Sequence, residues 1–70
     1  MFWWFKRGAH YVRYEARQVG SRVYELCFVD VDGIEKVERF DDQQALVDRQ
    51  RELESTLADD GWTGPHGWNL

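Results

Sequence analysis

Cys27 is the single cysteine in these 70 residues, so no disulfide can form within the chain. A chain of this length buries only about 60% of the surface that it exposes when unfolded, and its stability is therefore marginal. A single thiol also excludes zinc sites that are built on several cysteines. The remaining sources of stability are self-association and the burial of four tryptophans, three tyrosines and four phenylalanines.

The first part of the chain shows the alternation of β-strands. Residues 10–17 alternate apolar and charged side chains, which is typical of a strand that is buried on one face. Residues 22–30 are apolar on both faces, which predicts a central strand. Residues 18–21 are expected to form the turn between these two strands, and residues 2–6 form a further strand that turns back at Arg7 and Gly8.

The segment Asp-Val-Asp-Gly at 30–33 predicts a hairpin, because glycine takes positive φ without steric cost. Residues 34–40 are then the returning strand. Two loop lengths remain open at this stage. A two-residue loop places Val37 on the face of Leu26 and Phe28, whereas a three-residue loop with a bulge places it on the opposite face.

A helix is predicted over residues 42–59. Asp41 or Asp42 can cap its start, and Asp41 would place Gln44 where a capping box needs it. A stripe of leucines at helical spacing indicates the buried side. The stripe comprises Leu46, Leu53 and Leu57. Gly61 suits a Schellman ending, which would bring Trp62 into contact with Leu57.

These elements predict one α+β domain over residues 1–70. Its architecture is an antiparallel meander of three to four strands, followed by one C-terminal helix packed on the sheet in two layers. Residues 62–70 are expected to be an ordered aromatic tail that folds back like a strap and buries the Trp68 ring. A disordered tail would be expected to be polar instead.

The net charge of −4 is unevenly distributed. Residues 1–22 hold five of the nine basic side chains and one acid, and the rest of the chain holds twelve acids. Nucleic acid is thus an improbable partner overall, although the basic aromatic N-terminal third keeps it as the alternative. The sequence has neither a secretory signal nor an apolar run that could span a membrane, and its lone cysteine is typical of the cytoplasm.

An enzyme is not expected. His10 and His66 lie in different elements, and the sequence holds none of the familiar catalytic motifs. Cys27 lies in the middle of a strand among apolar residues, which is typical of an inert thiol. Two histidines alone make a weak metal site, so we expect neither a metal nor another cofactor.

The function expected from the sequence is that of a small non-catalytic protein-interaction module that binds another protein or forms a homodimer. The N-terminal aromatics can instead fill the core, or serve as a platform for a membrane surface or single-stranded nucleic acid. The acids at the helix end oppose the helix dipole, and either a neighbouring Arg or Lys compensates them or they form a docking patch. The candidate surface residues are Trp3, Trp4, Trp62, His66, Trp68, Asp59 and Asp60.

Four segments carry a resemblance to other proteins: WWFKRG, VYELCFVDVDG, VERFDD and DGWTGPHGW. Together they resemble a small group of uncharacterised bacterial proteins of similar length. The resemblance spans most of the chain. It implies a bacterial, cytoplasmic, single-domain protein and no particular activity.

Overall fold

A computed structural model of the protein describes residues 2–68, with Trp68 described by its backbone alone. Five strands and one helix follow one another along the chain. They are β1 (Phe2–Arg7), β2 (His10–Gly20), β3 (Val23–Val29), β4 (Glu35–Phe40), α1 (Gln43–Asp59) and β5 (Thr63–Trp68). The fold is α+β, as the sequence predicts, and α1 packs on one face of the sheet.

The sheet is antiparallel in the order β4-β3-β2-β1-β5. The sequence predicts a meander of three to four strands, and the structure has a fifth strand that was not expected. After the helix, the tail returns to the free edge of β1, where Trp4 pairs with His66. Its sequence Thr-Gly-Pro-His-Gly lacks the alternation that identifies strands, so only the pairing with β1 makes it one.

Strand β2 continues to Gly20, so the predicted turn over 18–21 is too early. The ladder with β3 changes register between Gln18 and Gly20. Such a bulge accommodates an extra residue without ending the strand. The turn therefore falls at Ser21 and Arg22.

The hairpin between β3 and β4 has the three-residue loop. Asp30 N–H donates to the Ile34 carbonyl at 3.2 Å, and Gly33 closes the loop with φ of 79°. Val37 consequently pairs with Cys27 and shares its face of the sheet. The alternative with Val37 on the face of Leu26 is excluded.

Helix α1 begins after Asp42, whose carboxylate accepts the N–H of Gln44 at 3.1 Å. Asp42 rather than Asp41 is thus the cap, and Gln44 lies one position too early for a capping box. The predicted leucine stripe is confirmed. The buried residues of the helix are Leu46, Leu53 and Leu57.

The helix ends in the Schellman pattern that the sequence predicts. Trp62 N–H donates to the Leu57 carbonyl at 3.0 Å, and Gly61 N–H donates to the Ala58 carbonyl at 3.1 Å. Gly61 has φ of 86°, which side chains with a Cβ rarely adopt. This turn places the Trp62 ring in the core, in one cluster with Leu57.

The core lies between α1 and one face of the sheet. Phe5, Tyr14 and Leu26 are almost completely buried there. The Tyr14 hydroxyl donates to Glu54 of the helix, and burial together with this carboxylate raises the pKa of Tyr14. Within residues 2–68, no helix has the length and apolar character needed to cross a membrane.

Candidate interaction surface

Alternate residues of the strands form two different faces of the sheet. The helix-covered face carries the core, and we call the opposite side the open face, because no helix or strand described here packs on it. The cross-strand pairs assign its members. From β5, β1 and β2 come His66, Phe2, Trp4, Lys6, Tyr11, Arg13, Glu15 and Arg17. From β3 and β4 come Val23, Glu25, Cys27, Val29, Glu35, Val37 and Arg39.

One end of the open face is aromatic. The rings of Trp4 and His66 stack with their centroids 4.3 Å apart, and Tyr11 is tilted against Trp4 at 5.8 Å. The Lys6 ammonium lies 5.9 Å from the centre of the Tyr11 ring. We call Trp4, Tyr11 and His66 the aromatic cluster.

A depression of about 530 Å³ opens beside this cluster. Its lining is mainly apolar, with Trp4 and Tyr11 on one side and Val29 on the other, and Arg13 supplies a cation. Asp30 also lines it, but this carboxylate accepts the backbone N–H groups of Asp32 and Ile34 within its own turn. The depression therefore suits an apolar or aromatic side chain that has a negative charge near it.

The other end of the open face is ionic. Glu25 is buried, and its carboxylate accepts hydrogen bonds from Arg39 at 2.8 Å and from Arg17 at 3.1 Å. Arg17 also pairs with Glu15 at 3.1 Å. These hydrogen bonds, first that of Arg39 and then that of Arg17, lower the pKa of Glu25. We call these four residues the ionic cluster.

Cys27 lies between the two ends, and only 8% of it is exposed. Burial raises the pKa of its thiol, which keeps the sulfur protonated at neutral pH and weakens it as a nucleophile. His66 lies three strands away in the sheet order, and His10 lies on the opposite face. Across residues 2–68, no group of three or more potential ligand side chains is arranged to hold a metal.

Three of the six exposed large apolar side chains of residues 2–68 lie on the open face, and a fourth, Val19, lies at the bulge of β2. Tyr11 is 55% exposed, Val37 is 49% exposed and Val23 is 39% exposed. Val31 and Ile34, which are also exposed, lie in the adjoining β3–β4 loop. An apolar surface that is bounded by charged groups is typical of a site that binds another macromolecule.

Two pairs of the seven candidate surface residues are brought together: Trp4 with His66 in the aromatic cluster, and Trp62 with Asp60, whose carboxylate accepts the indole N–H at 3.3 Å. Trp3 points to the helix-covered face, where its ring lies over Gly67 and a Cβ at that glycine would approach the ring to 2.5 Å. Trp68 pairs through its backbone with Phe2. The predicted burial of its ring lies outside the described residues.

Trp62 and Asp60 serve the helix end rather than the open face. Arg7 donates to the Asp60 carboxylate at 2.7 Å and to the Asp60 carbonyl at 3.0 Å. The same guanidinium lies 4.6 Å from the centre of the buried Trp62 ring. A strand arginine thus compensates Asp60 at the negative end of the helix, whereas Asp59 is exposed on the helix.

Sequence reasoning missed Tyr11, Arg13 and Val37 as members of the surface. The alternation in β2 already separates Arg13 from Val12 and Tyr14. A two-residue turn between β1 and β2 pairs Trp4 with Arg13, so their side chains lie on the same face. Tyr11 and Arg13 could therefore have been grouped with Trp4. Val37 could not, because its face depends on the loop length that the sequence leaves open.

The chain was compared with protein-family models, with curated proteins and with solved structures, and none of the three comparisons gives a match. The resemblance to a group of bacterial proteins stays a prediction.

Proposed function

We propose that this protein is a small, non-catalytic protein-interaction module of the bacterial cytoplasm that binds its partner on the open face. The observation that supports this most is that three exposed apolar side chains share one face of the sheet. Tyr11, Val23 and Val37 lie on the one sheet face that the helix leaves uncovered. Both ends of the face are already ordered, by ring stacking and by ion pairs, so binding there costs little conformational entropy.

The chemistry of the chain supports binding more than catalysis. Its one thiol is protonated and mostly buried, and neither histidine is placed beside it. A nucleophile needs a base within hydrogen-bond reach and donors for the developing charge. The aromatic cluster and its depression instead offer an anchoring site for a partner side chain.

Affinity capture from a bacterial lysate tests this proposal. Three baits are compared: the parent, Val37→Glu on the open face, and Ser55→Glu on the exposed side of α1. Each bait is co-expressed with an untagged copy of the chain. We expect the parent and Ser55→Glu to retain the same proteins and Val37→Glu to lose them, because a carboxylate in the apolar surface must be desolvated on binding. Equal capture by all three baits would contradict the proposal.

A second candidate is binding of single-stranded nucleic acid. Arg13 and Arg17 do share the open face with Trp4 and Tyr11, and exposed rings beside cations suit stacked bases and phosphates. Against this, Arg17 is neutralised by two carboxylates, and Glu35 adds a further negative charge to the face. Fluorescence polarisation with single-stranded oligonucleotides measures whether the chain binds them and with what affinity. This function requires an affinity whose logarithm falls with the logarithm of the salt concentration.

A further inference from the structure

We infer that the partner on the open face is a second copy of this chain, and that a two-fold axis running parallel to the strands between β2 and β3 relates the two copies. This inference rests on the proposed function, because it uses the same face. It adds the identity of the partner and the residues that meet across the interface.

The distribution of charge on the open face is the first observation. The β1–β2 half carries three cations, Lys6, Arg13 and Arg17, against the single carboxylate of Glu15. The β3–β4 half carries two carboxylates, Glu25 and Glu35, against the single cation of Arg39. The face is therefore positive on one side of the line between β2 and β3 and negative on the other.

A two-fold axis along that line places the β1–β2 half of each copy over the β3–β4 half of the other. The positive half therefore meets the negative half at two equivalent contacts. An isologous interface needs this kind of self-complementary surface. Arg13 then comes within side-chain reach of the partner's Glu35, while Arg17 stays paired with Glu15 and Glu25 of its own chain. Phe2 faces the partner's Val37, so one apolar pair also meets on each side of the axis.

The edges of the sheet do not offer the same opportunity. Four of the six residues of β4 are charged, in the sequence Glu-Lys-Val-Glu-Arg-Phe, and charged side chains discourage pairing with another strand. At the other edge, β5 contains Pro65, which has no N–H to donate. Association through a continuous sheet is therefore disfavoured, and the open face remains.

The size of the face is sufficient for a weak dimer. Four strands spaced about 4.8 Å apart and about 20 Å long cover roughly 400 Å² in projection, and corrugated side chains present more accessible surface than that. Two copies together approach the roughly 1,000 Å² of a specific interface. Dimerisation would also supply the stability that a 70-residue chain without a disulfide lacks.

The test uses charge reversals at positions 13 and 35. The fold should tolerate both substitutions, because Arg13 and Glu35 are exposed. Sedimentation equilibrium over a concentration series should show the parent in a monomer–dimer equilibrium that weakens as salt is added. Arg13→Glu alone and Glu35→Arg alone should each weaken the dimer tenfold or more. Circular dichroism checks that both variants remain folded.

An equal mixture of Arg13→Glu and Glu35→Arg should restore association to the parent level as a heterodimer. In the mixture, the new carboxylate at position 13 meets the new guanidinium at position 35 of the other chain, and the native pair is kept at the second contact. Arg51→Glu and Glu52→Arg, on the helix, are the matched controls and should behave like the parent, alone and mixed.

Three outcomes would overturn the inference: a parent that stays monomeric at high concentration, a dimer that neither reversal weakens, or a mixture that is not rescued. If the parent is monomeric while Val37→Glu still abolishes capture of another protein, the second copy is wrong and the proposed function stands. If the parent is monomeric and Val37→Glu captures the same proteins as the parent, both the second copy and the proposed function are wrong. Salt-sensitive binding of an oligonucleotide to a purely monomeric chain would identify nucleic acid as the partner instead.

Discussion

The two faces of the sheet are built from alternate residues of the same strands, yet they are ordered by different interactions. On the helix-covered face, Phe5 and Leu26 are each 1% exposed and pack against the helix. On the open face, Tyr11 and Val37 are about half exposed, and order comes from stacked rings and from the hydrogen bonds of Glu25.

This difference separates the consequences of substitution. A side chain on the helix-covered face contributes to folding through the area that it buries, so its removal lowers the free energy of unfolding. An exposed side chain on the open face, such as Tyr11 or Val37, has little burial to lose in the monomer, and its removal should act on association. Substitutions at neighbouring residues of one strand are thus expected to act on different quantities: one on the free energy of unfolding, the other on association.

Deletion of residues 62–70 should have the largest effect on stability. It removes the buried Trp62 ring from the helix-covered face and strand β5 from the edge of β1. Losing a buried tryptophan alone costs about 3–5 kcal/mol. We expect urea unfolding to show at least that loss, or a chain that no longer folds.

The single substitution Trp62→Ala, which keeps β5, separates the two contributions of the tail. A smaller loss in this variant than in the deletion assigns the remainder to the pairing of β5 with β1. A truncated chain that keeps its melting temperature but loses its partner would show that the tail is a binding segment and not a strap.

A matched pair of substitutions tests the two faces directly. Leu26→Ala on the helix-covered face should lower the free energy of unfolding by about 2–5 kcal/mol. Val37→Ala on the open face should change it by about 0.5 kcal/mol or less, because Val37 is already half in water. Thermal denaturation of dilute protein measures both, and equal losses would contradict the assignment of faces.

The fold could be predicted from the sequence wherever one local pattern determined it. The alternation in β2, the leucine stripe of α1 and the glycine at its end each specify one conformation. Strand β5 could not be predicted, because its residues acquire a ladder only when the chain returns to β1. The face of Val37 depended on one residue of loop length, which the hydrophobic pattern of β4 does not fix.

Replacing Gly61 with valine should lower stability by about 1 kcal/mol or more, because a β-branched side chain resists the φ of 86° found there. The turn directs Trp62 onto the helix-covered face, so the helix stop and the core should weaken together. Gly61→Asn is the control, since asparagine tolerates this conformation better. Equal melting temperatures for the parent and Gly61→Val would show that the turn is not required.

The candidate surface was less predictable than the fold. Aromatic content identified Trp4 and His66, but it also selected Trp3 and Trp62, which face the core. Composition does not distinguish a ring that is buried from one that binds a partner. That distinction requires the register of β1 against β2, and for Trp62 it requires the helix stop.

The smallest effect is expected for Glu25→Gln in the ionic cluster. Arg17 and Arg39 lower the pKa of Glu25 from the ordinary glutamate value of 4.5, and Glu15 is the other carboxylate beside Arg17. A carboxyl whose pKa is lower in the folded chain stabilises the fold above its unfolded pKa and loses that contribution as the pH falls through its folded pKa.

The parent should therefore be slightly more stable than Glu25→Gln at neutral pH, and the difference should shrink as the pH falls below 4.5. The effect is small because the Arg17 and Arg39 side chains are 47% and 74% exposed, so water screens both pairs. Chemical denaturation at several pH values measures it, with the exposed Glu52→Gln as the control that should show no such trend. A difference that persists unchanged at low pH would mean that Glu25 orders the open face through packing instead of charge.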